Sequence, residues 1–137
     1  LRGLDPRATY DNLDAIMAKL TEAGLPVLIA GMLAPPNLGR EYGETFTAVY
    51  PRLAEKYDAP LYPFFLEGVA MQRALNQGDG IHPNAEGVAE IVARIKPYVV
   101  RLLEAEALAE RQGSAGDPSA GDAGTDGPSA GDAGTGD

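Results

Sequence analysis

The chain has 137 residues, a net charge of −9, one histidine and no cysteine, which excludes disulfides and thiolate metal sites. Residues 1–111 hold 15 acids and 11 bases scattered among them, so we predict no nucleic acid partner, because phosphate recognition requires clustered cations. No apolar run approaches the ~20 residues that span a bilayer, and no transmembrane segment is predicted.

The first third of the chain predicts a helix followed by a buried strand. Asp5 is a good N-cap, and Pro6 suits the first helical turn. Apolar residues then recur at helical spacing, and Gly24 ends the pattern. They are Leu13, Ile16, Met17 and Leu20. Residues 26–31 form a short apolar run typical of a strand in a parallel sheet.

The middle of the chain predicts a second helix and a second strand. The helix is expected over about residues 42–57, with a bend at Pro51. Its inward-facing residues are predicted to be Phe46, Val49 or Tyr50, and Leu53. Residues 60–66 predict a short strand, which Pro63 makes irregular or places at a sheet edge.

A third helix, capped by Asn84 and bent at Pro97, follows a loop over residues 68–83. Its apolar stripe comprises Val88, Ile91, Val92, Ile95, Val99, Leu102 and Leu103. The order helix, strand, helix, strand, helix is that of an open α/β sheet. Two strands are too few to cover three apolar helix faces. We therefore expect the C-terminal portion of a larger doubly wound α/β domain over residues 1–111.

The last 26 residues differ in composition from the rest. From Gln112 onward the chain contains no lysine, arginine, aromatic, leucine, isoleucine or valine, and the block PSAGDAGT at residues 118–125 recurs at 128–135. Such a segment has too little apolar surface to offset its ordering entropy. We predict a disordered tail over residues 112–137.

The loop before the third helix carries the most distinctive motif. His82, the only histidine, follows Asp79 by three positions and is followed at once by Pro83. Gly80 and Pro83 favour a loop, in which a carboxylate can turn back onto an imidazole. That contact orients the general base of a hydrolase, although an ordinary hydrogen bond in a loop is the simpler interpretation. The only serines are Ser114, Ser119 and Ser129, all in the predicted tail.

The motif DGIHPNAEG (residues 79–87) resembles the Asp-x-x-His block of the GDSL or SGNH hydrolases. The run PVLIAGMLAPPNLGREYGETFTAVYPRLAEKYDAPLYPFFLEGVA (residues 26–70) is similar to the bacterial arylesterase and multifunctional thioesterase/lysophospholipase branch, and the match covers roughly residues 1–103. The resemblance implies a three-layer flavodoxin-like (SGNH hydrolase) parallel sheet. It also implies hydrolysis of acyl or aryl esters or thioesters by a Ser-His-Asp triad, with His82 as base and Asp79 as orienting acid.

The rest of that machinery is not found in residues 1–111. The family's Gly-Asp-Ser and Gly-Asn-Asp blocks, which carry the nucleophile and an oxyanion donor, do not occur there. We therefore expect the chain to begin shortly after Gly-Asn-Asp, to need the missing N-terminal part of the domain as its partner, and to be inactive alone. Relatives of this branch are often exported, so the resemblance also implies a periplasmic or secreted protein.

Three residues are candidate substrate contacts. Leu33 and Pro35 follow the first predicted strand, where α/β sheets place ligands, and Phe65 lies in the second. A rigid connecting loop explains Leu33 and Pro35 equally well. Phe64 and Phe65 alternate faces if residues 60–66 are extended, so at least one is core, and a core position is the simpler interpretation of Phe65. No cofactor and no metal are expected, because acidic residues of the first helix have no histidine or cysteine neighbours and suit a solvated face. These are Asp5, Asp11, Asp14 and Glu22.

Two other classes of function stay open. A non-catalytic α/β interaction or binding module could keep this scaffold without a nucleophile. A flavodoxin-like ligand-binding domain is disfavoured, because no glycine-rich phosphate loop is present.

Overall fold

The computed structural model describes residues 3–114, so most of the predicted tail lies outside the described residues. The helices and strands are α1 Pro6–Glu22, β1 Ile29–Ala30, α2 Arg40–Thr47, α3 Val49–Lys56, β2 Leu61–Tyr62 and α4 Ala85–Ser114. Short 3-10 turns lie at Pro36–Leu38 and Arg73–Leu75. The predicted alternation of helices and strands is confirmed. Helix α4 continues three residues beyond the predicted boundary at residue 111.

The two strands pair in parallel, with Ile29 opposite Leu61 and Ala30 opposite Tyr62. They are shorter than predicted. Gly31 extends the pairing by donating its N–H to Tyr62 O at 2.7 Å, and the regular ladder then ends, because Phe65 rather than residue 64 donates its N–H to Gly31 O, at 2.8 Å. A Cβ on Gly31 would collide with the carbonyl oxygen of Pro63, so the close approach of the two chains requires glycine here.

The helices lie on both faces of the sheet. On one face the core comprises Met17 of α1, Ile29 of β1, and Val49 and Leu53 of α3. On the other face the ring of Tyr62 meets Tyr98 of α4 edge-on, with 5.0 Å between ring centroids. Successive strand residues point to opposite faces, so α1 and α3 cover one side and α4 covers the other. This is the predicted three-layer arrangement.

The second predicted helix is two helices, α2 and α3, with the break at Ala48. The break places Pro51 in the first turn of α3. Backbone N–H groups in a first helical turn have no intrahelical acceptor, so a proline there loses nothing. A continuous helix would have left the carbonyl four residues earlier without its donor.

The apolar stripe of α4 is only partly buried. Ile91 is buried, whereas Val88, Val92, Val99 and Leu103 are exposed. A two-stranded sheet is too narrow to cover the whole apolar face of a 30-residue helix. Within residues 3–114 no helix has the length and apolar character needed to cross a bilayer.

Candidate active site

The loop between the Arg73–Leu75 turn and α4 forms a small hairpin. Asn76 and Pro83 form an antiparallel bridge, and Gln77 donates its N–H to His82 O at 2.8 Å. At the tip, Gly80 donates to Gln77 O at 2.9 Å and takes a φ of +69°, which favours glycine. The hairpin therefore fixes the backbone on both sides of the Asp79–His82 segment.

Asp79 and His82 are in direct contact, 2.7 Å apart from Oδ2 to Nδ1. The other carboxylate oxygen accepts the backbone N–H groups of Ile81 at 2.9 Å and His82 at 3.0 Å. The imidazole contact, followed by these two N–H groups, holds the pKa of Asp79 well below its ordinary value. The carboxylate is thus ionised at neutral pH, and its Oδ2 accepts a hydrogen bond from the Nδ1–H group of His82.

This contact determines what the ring can do. A neutral imidazole that donates from Nδ1 keeps the lone pair on Nε2 as an acceptor. The His82 side chain is 70 % exposed, so Nε2 is open to an incoming group. The arrangement is that of a general base whose tautomer is set by a carboxylate.

Asn76, which belongs to no sequence motif, holds the start of the hairpin in place. Asn76 is buried, and its side-chain amide donates to Val69 O at 2.7 Å and to Gln72 O at 2.8 Å. Both acceptors lie on the preceding loop, so Asn76 joins that loop to the strand of the hairpin that precedes Asp79.

The other end of the hairpin is tied to α4. Asn84 accepts the N–H of Gly87 at 2.9 Å through its side-chain oxygen, as predicted for an N-cap, and donates its amide to Ala74 O at 2.8 Å. A Cβ on Gly87 would collide with the carbonyl oxygen of Leu75. Gly87 therefore lets the first turn of α4 rest directly on the chain that leads into the hairpin.

The three predicted substrate contacts are not gathered into a cavity with the pair. Leu33 and Phe65 are exposed and Pro35 is half-buried. The segments that carry them run side by side, because Phe65 donates its N–H to Gly31 O at 2.8 Å. Of two described cavities, one of about 280 Å³ lies at the opposite ends of the strands, beside Pro26 and Pro60. The other, of about 460 Å³, lies beside α2. Neither is lined by Asp79, His82 or the three predicted contacts.

One of the acids predicted to be solvated is in fact paired. Asp14 accepts Lys56 Nζ at 2.6 Å and Tyr57 Oη at 2.8 Å, which lowers the pKa of Asp14 and raises the pKa of Lys56. It ties α1 to the end of α3. Within residues 3–114 no three side chains of histidine, cysteine or acidic type gather in a metal-binding group.

This chain is similar to known proteins both in sequence and in structure. No family model matches the sequence. The chain is 42 % identical over 103 residues to Thioesterase 1/protease 1/lysophospholipase L1 of Escherichia coli strain K12, covering 72 % of this chain and 50 % of that protein. A crystal structure of TesA superposes with a TM-score of 0.69 at 36 % identity, covering 74 % of this chain and 56 % of that one.

A second solved structure belongs to a named family. The structure of AlinE4, an SGNH-hydrolase family esterase, matches at 48 % identity and a TM-score of 0.56, covering 74 % of this chain and 54 % of that one. The fold places this chain among the α/β proteins with a parallel sheet covered by helices on both faces. More particularly, it belongs to the SGNH hydrolase family, in the branch of bacterial esterases, thioesterases and lysophospholipases. It spans about half the length of the curated relatives it matches.

Proposed function

We propose that this chain supplies the general base and the orienting acid of a carboxylic ester or thioester hydrolase of the arylesterase, thioesterase or lysophospholipase type. His82 is the base and Asp79 is the acid. The observation that carries the proposal is the 2.7 Å contact between Asp79 Oδ2 and His82 Nδ1, with the rest of the ring exposed. Leu33, Pro35 and Phe65 are proposed to contact the acyl or aryl group.

The chemistry assigns a step to each group. Nε2 of His82 takes the proton of a serine hydroxyl as that oxygen attacks the ester carbonyl, and later returns it to the leaving alcohol or thiol. Asp79 stabilises the imidazolium that forms in between. A water then repeats the sequence on the acyl-enzyme, with the same histidine as base.

The serine is proposed to come from an N-terminal half-domain outside this chain. Ser114, at the end of α4, is separated from Ala85 by 29 helical steps, or ~44 Å at 1.5 Å per residue. That distance is far beyond hydrogen-bond reach of His82. The two remaining serines, Ser119 and Ser129, lie outside the described residues. Alone, the chain is expected to lack esterase activity, because the family's Gly-Asp-Ser and Gly-Asn-Asp blocks do not occur in residues 1–111.

The experiment combines the 137-residue chain with the part of the Escherichia coli relative that the chain does not match, which is proposed to carry the serine and is called the serine-bearing part. Hydrolysis of p-nitrophenyl butyrate and of an acyl thioester is measured for each part alone and for the mixture. We expect turnover in the mixture only, and none when the chain carries His82→Ala. Turnover by the wild-type chain alone, or full turnover with His82→Ala, would falsify the proposed role of His82.

A binding module without catalysis is the alternative that the exposed face of α4 favours. It predicts a stable mixed complex in which neither ester is hydrolysed faster than by the serine-bearing part alone. The same experiment therefore separates the two functions.

A further inference from the structure

Met71 combines a strained backbone with an exposed apolar side chain. Its φ is +62°, in the left-handed region that disfavours residues with bulky side chains. The residue is 88 % exposed, more than any other large apolar residue in residues 3–114. Packing therefore cannot offset the strain, and glycine would suit this backbone better. A residue that costs stability in both respects points to a function for its side chain.

The turn that carries Met71 is fixed from beneath by Asn76. The Asn76 amide donates to Val69 O at 2.7 Å and to Gln72 O at 2.8 Å, on either side of Met71 in the chain. Gln72 also donates its N–H to Val69 O at 3.1 Å, which closes the turn. The buried asparagine that starts the hairpin of the Asp79–His82 pair thus also keeps Met71 at the surface.

A second apolar side chain is exposed at the tip of that hairpin. Ile81 is 52 % exposed, and its backbone N–H donates to Asp79 Oδ1 at 2.9 Å. Phe65, one of the proposed acyl contacts, is also exposed and lies on the segment that leads from β2 into the Met71 turn. Exposed apolar side chains therefore occur on both turns that Asn76 joins and continue to the proposed acyl contacts.

We propose that Met71 and Ile81, called the apolar tips, insert into the surface of an aggregate of zwitterionic lipid. The inference rests on the proposed function and names how the ester substrate is presented, which is within a lipid surface rather than as a free solute. His82 directly follows Ile81 in the chain. Insertion therefore brings the proposed base to the lipid–water boundary, where the ester bonds of lipids lie.

Charge selects a zwitterionic lipid surface over an anionic one. Apart from His82, residues 64–84 contain two acids, Glu67 and Asp79, and one base, Arg73. Attraction to anionic lipids requires a cluster of lysines and arginines, which this segment lacks. The chain as a whole carries a net charge of −9, which an anionic surface would repel. Binding through the apolar tips depends instead on the apolar area that they bury.

The three methionines of the chain allow insertion to be observed at one side chain. Met17 is 6 % exposed and Met32 is half-buried, so their methyl groups are internal references for Met71. The 137-residue chain, labelled with carbon-13 at the methionine methyl groups, is mixed with phosphatidylcholine vesicles with and without a nitroxide on the acyl chains. We expect the nitroxide to raise the relaxation rate of Met71 at least about fivefold more than that of Met17 or Met32, because inserted side chains reach the acyl boundary. Equal effects on the three methyl groups would overturn the inference.

Two variants separate insertion from damage to the fold. Met71→Gly should bind phosphatidylcholine vesicles about tenfold more weakly in a cosedimentation assay, because the larger inserted side chain is removed. The same variant should unfold at a higher urea concentration than the wild type, because glycine relieves the strain at this φ. Leu25, 54 % exposed on the loop before β1, lies at the opposite ends of the strands, so Leu25→Ser should bind vesicles like the wild type. Equal vesicle binding by Met71→Gly and the wild type would contradict insertion.

The vesicle assay is repeated in the mixture with the serine-bearing part. We expect the dependence on Met71 to persist there, and its loss would assign the apolar tips to the interior of a completed domain and overturn the inference. Tighter binding to phosphatidylglycerol vesicles would overturn the choice of a zwitterionic surface. Vesicle binding that depends on Met71, in a mixture that does not hydrolyse p-nitrophenyl butyrate, would reject the proposed catalysis and leave the lipid-binding surface in place.

Discussion

The carboxylate of Asp79 holds both the ring and the backbone of His82. One oxygen lies 2.7 Å from Nδ1 and the other lies 3.0 Å from the backbone nitrogen of the same histidine. The two residues are only three positions apart, so no distant part of the fold is needed to orient the ring. The hydrogen-bonding partner of the imidazole thus lies within four consecutive residues of the sequence.

The first prediction concerns the position of the imidazole proton. His82 is the only histidine, so long-range proton–nitrogen correlation spectra of labelled chain report on it without overlap. We expect the proton on Nδ1 in the wild type. With Asp79→Asn, the amide can donate to Nδ1 and move the proton to Nε2. Asp58→Asn serves as a control on another loop, and the same tautomer in all three proteins would contradict the assignment.

The second prediction concerns acid stability. An unfolded aspartate titrates near pH 4, and the folded-state pKa of Asp79 lies below that value. Folding therefore favours the ionised form, so this stabilisation is fully present above about pH 5 and is lost as the pH falls through the folded pKa. Urea unfolding between pH 3 and pH 7 should show a wild-type advantage over Asp79→Asn that is constant above about pH 5 and shrinks in acid. A wild-type advantage that grows as the pH falls would contradict the prediction that ionised Asp79 stabilises the folded state.

Features that depend on residues close together in the sequence could be predicted. Asp79 and His82 could be paired because Gly80 and Pro83 force a loop over so short a span. The parallel α/β order could be predicted because each element repeats its own apolar period. The N-cap at Asn84 could be predicted because the residue that starts a helix follows a simple chemical preference.

The features that depend on distant contacts could not be predicted. Asn76 is an ordinary asparagine until the loop at residues 69–72 folds over its amide. The ends of the strands depend on how closely Gly31 approaches residue 63, which no local pattern reveals. The pairing of Asp14 with Lys56 joins residues 42 positions apart.

The third prediction tests Asn76 as a positioning residue. Asn76→Leu keeps similar volume but removes the two side-chain hydrogen bonds to Val69 O and Gln72 O, which keep only their backbone donors, Gln72 N–H and Leu75 N–H. The loss of two such bonds should lower the free energy of unfolding by about 1–3 kcal/mol. The His82 signals should shift and broaden in the same variant, because the strand that precedes Asp79 is released. Asn12→Leu, on the exposed side of α1, should change neither measurement. A loss of stability without any change at His82 would assign Asn76 a purely structural role.

The fourth prediction uses two neighbouring residues of α4. Ile91 is 6 % exposed and packs toward the sheet, whereas Val92 is exposed. In the isolated chain, Ile91→Ala should lower the free energy of unfolding by about 2–4 kcal/mol, and Val92→Ala should change it by less than about 0.5 kcal/mol. Equal costs in the isolated chain would contradict the orientation of α4.

The fifth prediction concerns the contact beneath the hairpin. Gly87→Ala adds a methyl group against the carbonyl oxygen of Leu75 and the Cγ1 atom of Val69, so the first turn of α4 must move away from the chain that leads to His82. Overpacking of this kind costs about 1–3 kcal/mol, and it should outweigh the better helix propensity of alanine. Gly43→Ala, inside α2 with open space around its Cα, should instead stabilise by up to about 1 kcal/mol. Urea unfolding distinguishes the two substitutions, since equal stabilisation by both would show that α4 does not rest on the hairpin. Hydrolysis by the mixture should fall with Gly87→Ala and stay unchanged with Gly43→Ala, because only the first shifts the loop that carries His82, the proposed base.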